Sequence, residues 1–511
     1  LNGPLCDAVI AEASDVPDSS QAVLEHLEAT KLFIMPLDDE RRWYRYHNLF
    51  AEFLQARLAQ SAKSGTVATL HRRAAAWYEA HGFVDAALHH AVKAEDFEGA
   101  ADLMEHYADS FFVQSTLLTL VRWIEALPDA VLEARPPLMM IYAWATLATG
   151  QLEKTERTLG LIEEILGATT ESLLRDPEAL PAAQRTPLLE VAIVRTATGM
   201  AFFDLQKVQH IAERLLPYLR AEDVRCLHNT TGELHPVLLL NLALAYEFSG
   251  NLTAALPVFA EALEAGLEEN NMHIVPLALG HLGQLHATRG QLHRAQEIYQ
   301  DALRRAEEMG PVPSPLAGNA HAGLGQLYYQ WNDLEKAEHH LREGIALGKP
   351  WNAWESLLPG YMGLAQIHRV HHRWKAALAV LHELEAVCQQ AQMEMLLPTV
   401  ELARLRLEAD RGNLEIVEQW AAQRDLSHDG ETSPLQEEEA LTRIRILLAL
   451  KRYTEAARRI AELLPSMAAG ERWGRALEAR VLQAVALARQ DYHDRALVAL
   501  ERALALGEPE D

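Results

Sequence analysis

LGQLYYQWNDLEKAEHHLREGIALG, from Leu324 to Gly348, decides how the chain is read. Leu324, Gly325 and Tyr328 lead to a turn at Asn332, and Leu334, Ala337, Leu341 and Gly344 follow it. The same offsets recur in Leu242, Ala243, Tyr246, Gly250, Leu252, Ala255, Phe259 and Ala262. They recur again in Leu282, Gly283, His286, Gly290, Leu292, Ala295, Tyr299 and Ala302, and in Leu364, Ala365, His368, His372, Trp374, Ala377, Leu381 and Leu384. Weaker copies turn at Gly82, Gly150, Gly412, Lys451 and near Asp491, the last with its register open by one residue.

These offsets have a physical logic. Small residues at the second and sixth places let two helices approach closely. Gly or Asn at the fourth ends the first helix in a left-handed conformation. A large residue at the seventh fills the space between neighbouring hairpins. One hairpin cannot bury its own apolar face, so copies must stack. The expected fold is therefore all-α: a superhelical, tetratricopeptide-like helical-repeat solenoid. The turns at 250, 290, 332, 372, 412 and 451 set spacings of 40, 42, 40, 40 and 39 residues. A standard repeat of this kind has about 34, so longer helices or loops are expected. The alternative is a Leu/Ala-rich helical bundle without stacking.

Composition agrees. The chain has 511 residues, 49% of them hydrophobic, enough for a large core. Its net charge of −26, from 46 basic and 72 acidic residues, opposes binding to nucleic acid or to an anionic membrane. The densest basic spot, RRWYRYH (Arg41 to His47), follows the acidic Asp38, Asp39 and Glu40. Cys6, Cys226 and Cys388 are far apart and in no metal-ligand pattern, which fits a reducing cytoplasm. The longest apolar run, VLLLNLALAY (Val237 to Tyr246), is about half a membrane span, and no signal peptide is visible. The chain opens with Leu1 and reads as a piece of something longer.

The N-terminal sixty residues differ. LFIMPL and RWYRYH are short β-prone runs joined by the polar DDE turn, so a hairpin is expected. Asn48 is placed to cap a following helix with Leu49, Phe50, Phe53, Leu54 and Leu58 as its apolar stripe. VLEHLEA before the hairpin is another helix. Helices, a hairpin and a further helix suggest a winged-helix module or part of one.

Several strings carry a resemblance. WYRYHNLFAEFL, HRRAAAWYEAHGFVDAALHHAVKAEDFEGAADLME, WIEALPDAVLEARPPL, YYQWNDLEKAEHHLREGIALG and the terminal LALGEPED resemble the MalT-like group of large ATP-dependent LuxR-type regulators, over essentially the whole chain. That family consists of signal-transducing NTPases. The resemblance implies a P-loop NTPase, a winged helix, a superhelical sensor and a C-terminal DNA-binding helix-turn-helix. No G-x-x-x-x-G-K-[ST] occurs, and the chain stops at Asp511, where the family continues toward its DNA-binding domain. The chain is thus read as an internal segment: 1–60 the end of a winged-helix module, 61–130 a helical arm, and 131–508 the repeat sensor. No cofactor is expected in this segment, and ATP or ADP is expected in the full-length parent. DNA would be reached only through the missing C-terminal domain, and self-association belongs to the parent.

Candidate site residues follow. Gln284, Gln326 and Gln366 share one offset in three successive repeats, on the helix that lines the concave face in such solenoids. A Gln there presents both a donor and an acceptor to a ligand, or bonds across repeats or to water. Tyr329 and Arg369 lie one turn on, while Gly280 and Ala322, one turn earlier, leave space. Such a surface suits a sugar-like or other polar small molecule. Trp351 and Trp354, taken as i and i+3 of one helix, form either a stacking wall or packing between repeats. By the resemblance, His47 matches a winged-helix histidine that senses nucleotide phosphates; otherwise it caps the next helix. The pairs His89–His90, His339–His340 and His371–His372 are sequence neighbours, about 100° apart on a helix, and cannot easily chelate one metal. No catalytic motif is visible. Two functions remain: an effector-sensing and oligomerisation region of a transcriptional activator that takes a small-molecule or protein effector, or a free-standing scaffold whose acidic total favours basic peptides or partners.

Overall fold

The computed structural model describes every residue except 11–18, 62–64, 114–115, 222–233, 270, 272–273, 309–316, 352, 391–392, 394–395, 424–433 and 508–511. Two compact units divide the chain, one covering Leu1–Thr198 and the other beginning at Gly199. The boundaries expected at 60 and 130 both fall inside the first unit.

The first unit opens with α1 (Gly3–Ile10), α2 (Ser20–Ala29), strands β1 (Ile34–Pro36) and β2 (Tyr44–Tyr46), and α3 (Asn48–Ser61). The strands pair antiparallel with Ile34 opposite Tyr46. The acidic turn has a definite job: the Asp38 carboxylate accepts from the amides of Arg42 (2.9 Å) and Trp43 (2.8 Å), which closes the hairpin loop. Ile34 and Tyr44 bury against Leu24 of α2. Asn48 does not cap the next helix. It is the first helical residue, and the His47 carbonyl takes the capping place, accepting from Phe50 and Ala51 at 2.9 Å each. The preceding residue serves because His47 still donates its own amide to Phe33 across the hairpin end (2.7 Å), which holds it in extended pairing.

Helical hairpins follow: α4 (Thr66–Ala80) with α5 (Val84–Lys93), α6 (Phe97–Val113) with α7 (Leu117–Ile124), then the short α8 (Asp129–Glu133), and α9 (Pro136–Ala148) with α10 (Leu152–Leu166). After α11 (Thr170–Arg175), helix α12 (Ala182–Ala201) begins in the first unit and ends in the second.

In the second unit α13 (Leu205–Ala221) precedes seven hairpins. These are α14 (Leu234–Ser249) with α15 (Leu252–Glu268), α16 (Ile274–Thr288) with α17 (Leu292–Glu308), α18 (Ala317–Gln330) with α19 (Leu334–Gly348), and α20 (Trp354–Val370) with α21 (Trp374–Gln390). Then come α22 (Leu397–Arg411) with α23 (Leu414–Gln423), α24 (Pro434–Ala449) with α25 (Tyr453–Ala469), and α26 (Trp473–Ala488) with α27 (His493–Gly507). The turn residues behave as the repeat requires. Gly250, Gly290, Asn332, His372, Gly412, Lys451 and Asp491 all have positive φ, which also fixes the last register at Asp491. The residues at the seventh place, Phe259, Tyr299, Leu341 and Leu381, are buried, as are Ala255, Ala295, Ala337 and Ala377 at the sixth. The long period is spent partly on helices, 14 to 17 residues each from α14 to α21.

The stacking is curved, and the contacts say which way. First helices touch the first helix of the next hairpin in α14–α16, α16–α18, α18–α20, α22–α24 and α24–α26, whereas consecutive second helices make no comparable contact. The first helices therefore form the tighter, inner wall. The curve comes round on itself: α14 meets α24 and α16 meets α26. Arg289 pairs with Glu471, and the Arg472 guanidinium donates to the Gly250 carbonyl at 3.5 Å.

Candidate functional site

The inner wall is built by one register. Six residues before each turn, a first helix presents Gln284, Gln326, Gln366, Arg406 and Arg445 in turn. Neighbouring hairpins are tied through this column. Gln326 Nε2 donates to the Pro359 carbonyl of the next first helix at 2.9 Å. Arg445 pairs with Glu478 of the next hairpin. The residue three positions later adds a second tie: Arg369 donates to Asp410 (3.0 Å) and reaches the Tyr329 hydroxyl (3.4 Å), linking three hairpins.

One interval breaks the pattern. Helices α20 and α22 do not make the contact that other successive first helices make. A cleft opens there, with about 350 Å³ of space outside atoms, open solvent included. Gln366 and Arg369 of α20, Arg406 of α22, and Glu438 and Thr442 of α24 line it. Its electrostatics are unusual for so acidic a chain. Burial, then the charge of Arg369, pulls the Arg406 guanidinium below its ordinary pKa. Burial and the charge of Arg406 bring Arg445 down to about 10, against the opposing pull of Glu438. Arg406 Nε, Arg369 Nε and Arg445 Nη1 are buried with no hydrogen-bond partner among the described residues.

Of the expected site residues, Gln366 and Arg369 share this cleft, and half-buried Tyr329 joins through Arg369. Gln326 is on the same wall but already bonded across repeats. Gln284 is exposed on α16. The space expected at Gly280 is occupied, because the Asn319 amide lies 2.6 Å from where a Cβ would stand. Ala322, on α18, is fully buried, so it too opens no space. Trp351 and Trp354 do not share a helix: Trp351 sits in a 3-10 turn, Lys349–Trp351, and Trp354 opens α20 after an extended Ala353. Pro350, with no amide hydrogen to donate, ends α19, and the break between the two tryptophans falls after it, at the extended Ala353. The Trp351 side chain lies outside the described residues. The Trp354 ring packs 6.1 Å from that of Phe248, at the end of α14. His47 is exposed, its backbone engaged as described above. Sequence reading missed Arg406 and Arg445, although the signal was present: the glutamine column, extended to the turns at 412 and 451, lands on them.

Comparison with known proteins now adds the lineage. Residues 190–511 match the family model for the MalT-like TPR region, and residues 1–67 match that for the MalT winged helix domain. The chain belongs to the MalT-like TPR family. Within it, the chain is 28% identical over 341 residues to the HTH-type transcriptional regulator MalT of Yersinia pestis, covering 67% of this chain and 36% of that protein. It is 27% identical over 359 residues to the serine/threonine-protein kinase PknK of Mycobacterium tuberculosis, covering 67% of this chain and 29% of that one. The chain thus spans about a third of the length of these relatives. Among solved structures, a signal transduction ATPase with numerous domains from Pyrococcus horikoshii, with a tetratricopeptide repeat sensor, is a distant likeness. Its TM-score is 0.46 at 13% identity, covering 100% of this chain and 61% of that chain.

Proposed function

We propose that this chain is the effector-sensing and oligomerisation region of an ATP-dependent, MalT-type transcriptional regulator, with the effector bound on the inner wall of the repeat superhelix. The observation that carries the reading is that relatives with different named outputs each match two thirds of this chain. One relative is named a transcriptional regulator and another a protein kinase, and both are matched over the same share of this chain. What two different output chemistries have in common is an input module. The inner wall supplies suitable chemistry, with amides, a phenol and guanidiniums at the α20–α22 opening.

Each hairpin contacts chiefly its neighbours, so a ligand that spans hairpins changes their relative angles. Effector binding would favour an active, ATP-bound, self-associated form of the whole regulator. By linkage, effector and ATP would each strengthen the other's binding there. The alternative, a scaffold for peptides or partner proteins, uses the same wall.

The test is a thermal-shift screen of the purified chain against sugars, other metabolites and peptides, repeated with Gln326→Ala and Arg369→Gln. Each variant is scored against its own ligand-free midpoint, because Gln326 also ties two repeats. The reading expects a stabilising small molecule whose shift falls in at least one variant. A hit that keeps its full shift in both would move the site off this wall. Peptide-only hits would favour the scaffold.

A further inference from the structure

We propose that the cleft between α20 and α22 is a subsite for the anionic group of a small-molecule ligand, a carboxylate or a phosphate, held by Arg406 with Arg369 and Arg445 flanking it. The proposal rests on the inner wall being the effector surface and names the chemistry of that effector.

The argument is one of unmatched charge. Arg369, Arg406 and Glu438 line the cleft, and with the groups paired or packed around them, Arg445, Arg475, Asp410 and Glu478, four guanidiniums meet three carboxylates. Arg369 is taken by Asp410, Arg445 by Glu478 and Arg475 by Glu438. Arg406 makes no ion pair among the described residues, and its Nε is buried without an acceptor. The acceptor within reach of a regular ladder, Glu438, is already engaged by Arg475 of the following hairpin. A buried guanidinium N–H left without an acceptor is costly, because its lost hydration is not replaced. An oxyanion in the cleft would replace it with charge-assisted, fork-shaped hydrogen bonds. The site also lies where the inner wall opens, so it is reachable as well as charged.

A neutral sugar would leave the surplus charge uncompensated. Gln366 and Thr442, beside the arginines, supply neutral donors and acceptors for the rest of such a ligand. A small molecule fits better than an acidic peptide, because the surplus is one charge and the chain as a whole, at −26, repels a polyanion.

The experiment titrates the chain by calorimetry with inorganic phosphate, glucose 6-phosphate, citrate, neutral glucose and a decamer of glutamate, at constant ionic strength set with chloride. At least one small anion is expected to bind where glucose does not, the phosphate and citrate arms telling which oxyanion is preferred. Arg406→Gln is expected to weaken that binding roughly tenfold or more, the worth of a lost charge-assisted bond. Arg342→Gln, which removes an exposed pair with Glu338 within α19, is expected to leave it unchanged. If Arg406→Gln does not fold, Arg406→Lys decides: it keeps the charge, loses the fork, and should bind several-fold more weakly. Absence of anion binding, or affinity indifferent to Arg406, overturns the subsite. Tighter binding of the glutamate decamer through Arg406 overturns the small-molecule assignment. If a neutral effector acts through Gln326 while anions do nothing, the subsite fails and the sensor reading survives. If anions bind through Arg406 but no effector alters self-association or output of the whole regulator, the reverse holds.

Discussion

The Nδ1 atoms of His321 and His340 lie 3.0 Å apart, facing each other between the two helices of one hairpin. Tyr328 stacks on His340 at 5.3 Å. The first unit repeats the device nineteen residues apart, with His71 and His90 at 2.8 Å and Tyr78 stacked on His90. Of the adjacent pairs, His90 of His89–His90 and His340 of His339–His340 each meet a histidine on the partner helix of their hairpin.

A single hydrogen bond joins the two rings, so one ring must accept through an unprotonated Nδ1 and the two cannot both be charged. Burial, then the charge of its histidine neighbours, brings His321 and His340 down to about 4. Their ordinary value is 6.5. Between the two values the unfolded chain binds protons that the folded pair refuses. Stability present above about pH 6.5 is therefore lost as pH falls toward about 4. The midpoint of thermal unfolding should drop across that window, and more gently in a His321→Gln, His340→Gln double variant. Equal slopes would show that other groups set the acid limb.

Tyr299 stands where two side chains would begin. A Cβ at Gly283 would lie 2.5 Å from its ring, and one at Gly323 nearer still. Gly323→Ala should destabilise the second unit by about 1–3 kcal/mol through overpacking. Trimming the ring in the same background, with Tyr299→Leu, should recover part of that loss in a denaturant titration. Full stability in Gly323→Ala alone would contradict the packing.

Arg472 and Glu437 form a buried pair at 2.8 Å, with side chains 7% and 0% exposed, and Arg472 also donates to the Ser466 carbonyl. Removing one partner strands the other. Arg472→Met should cost about 3–5 kcal/mol. The double change with Glu437→Leu should cost much less, as a double-mutant cycle would show.

Lys451 holds a left-handed turn at φ 60° without being glycine. Relief of that strain is worth about 1–2 kcal/mol against about 0.5–1 kcal/mol of extra chain entropy for glycine. Lys451→Gly should leave the second unit as stable or up to about 1 kcal/mol more stable. A clear loss would mean that the lysine side chain, not the backbone, secures this turn.

Much of the architecture was legible because the repeat states its reasons locally. Left-handed turn residues, small residues at helix crossings and one large residue per hairpin are chosen by sterics within about forty positions. Even the divergent turns at Lys451 and Asp491 obeyed the spacing. The inner column was legible too, but its meaning was not. Whether Gln326 faces a ligand or the Pro359 carbonyl depends on the rise between hairpins, and no offset encodes that. The α20–α22 opening, the competition for Glu438 and the contact of Trp354 with Phe248 across several hairpins arise only once the curve closes. The extended Ala353 separates two tryptophans that spacing alone placed together.

Hydrogen exchange of the chain, with and without a stabilising small molecule from the screen, tests the central claim most directly. Protection should concentrate on the first helices from α18 to α24 around the Arg406 cleft, and change little in the outer α19, α21 and α25. Protection confined to those outer helices, or to the strands and α3, would contradict an inner wall that reads the effector.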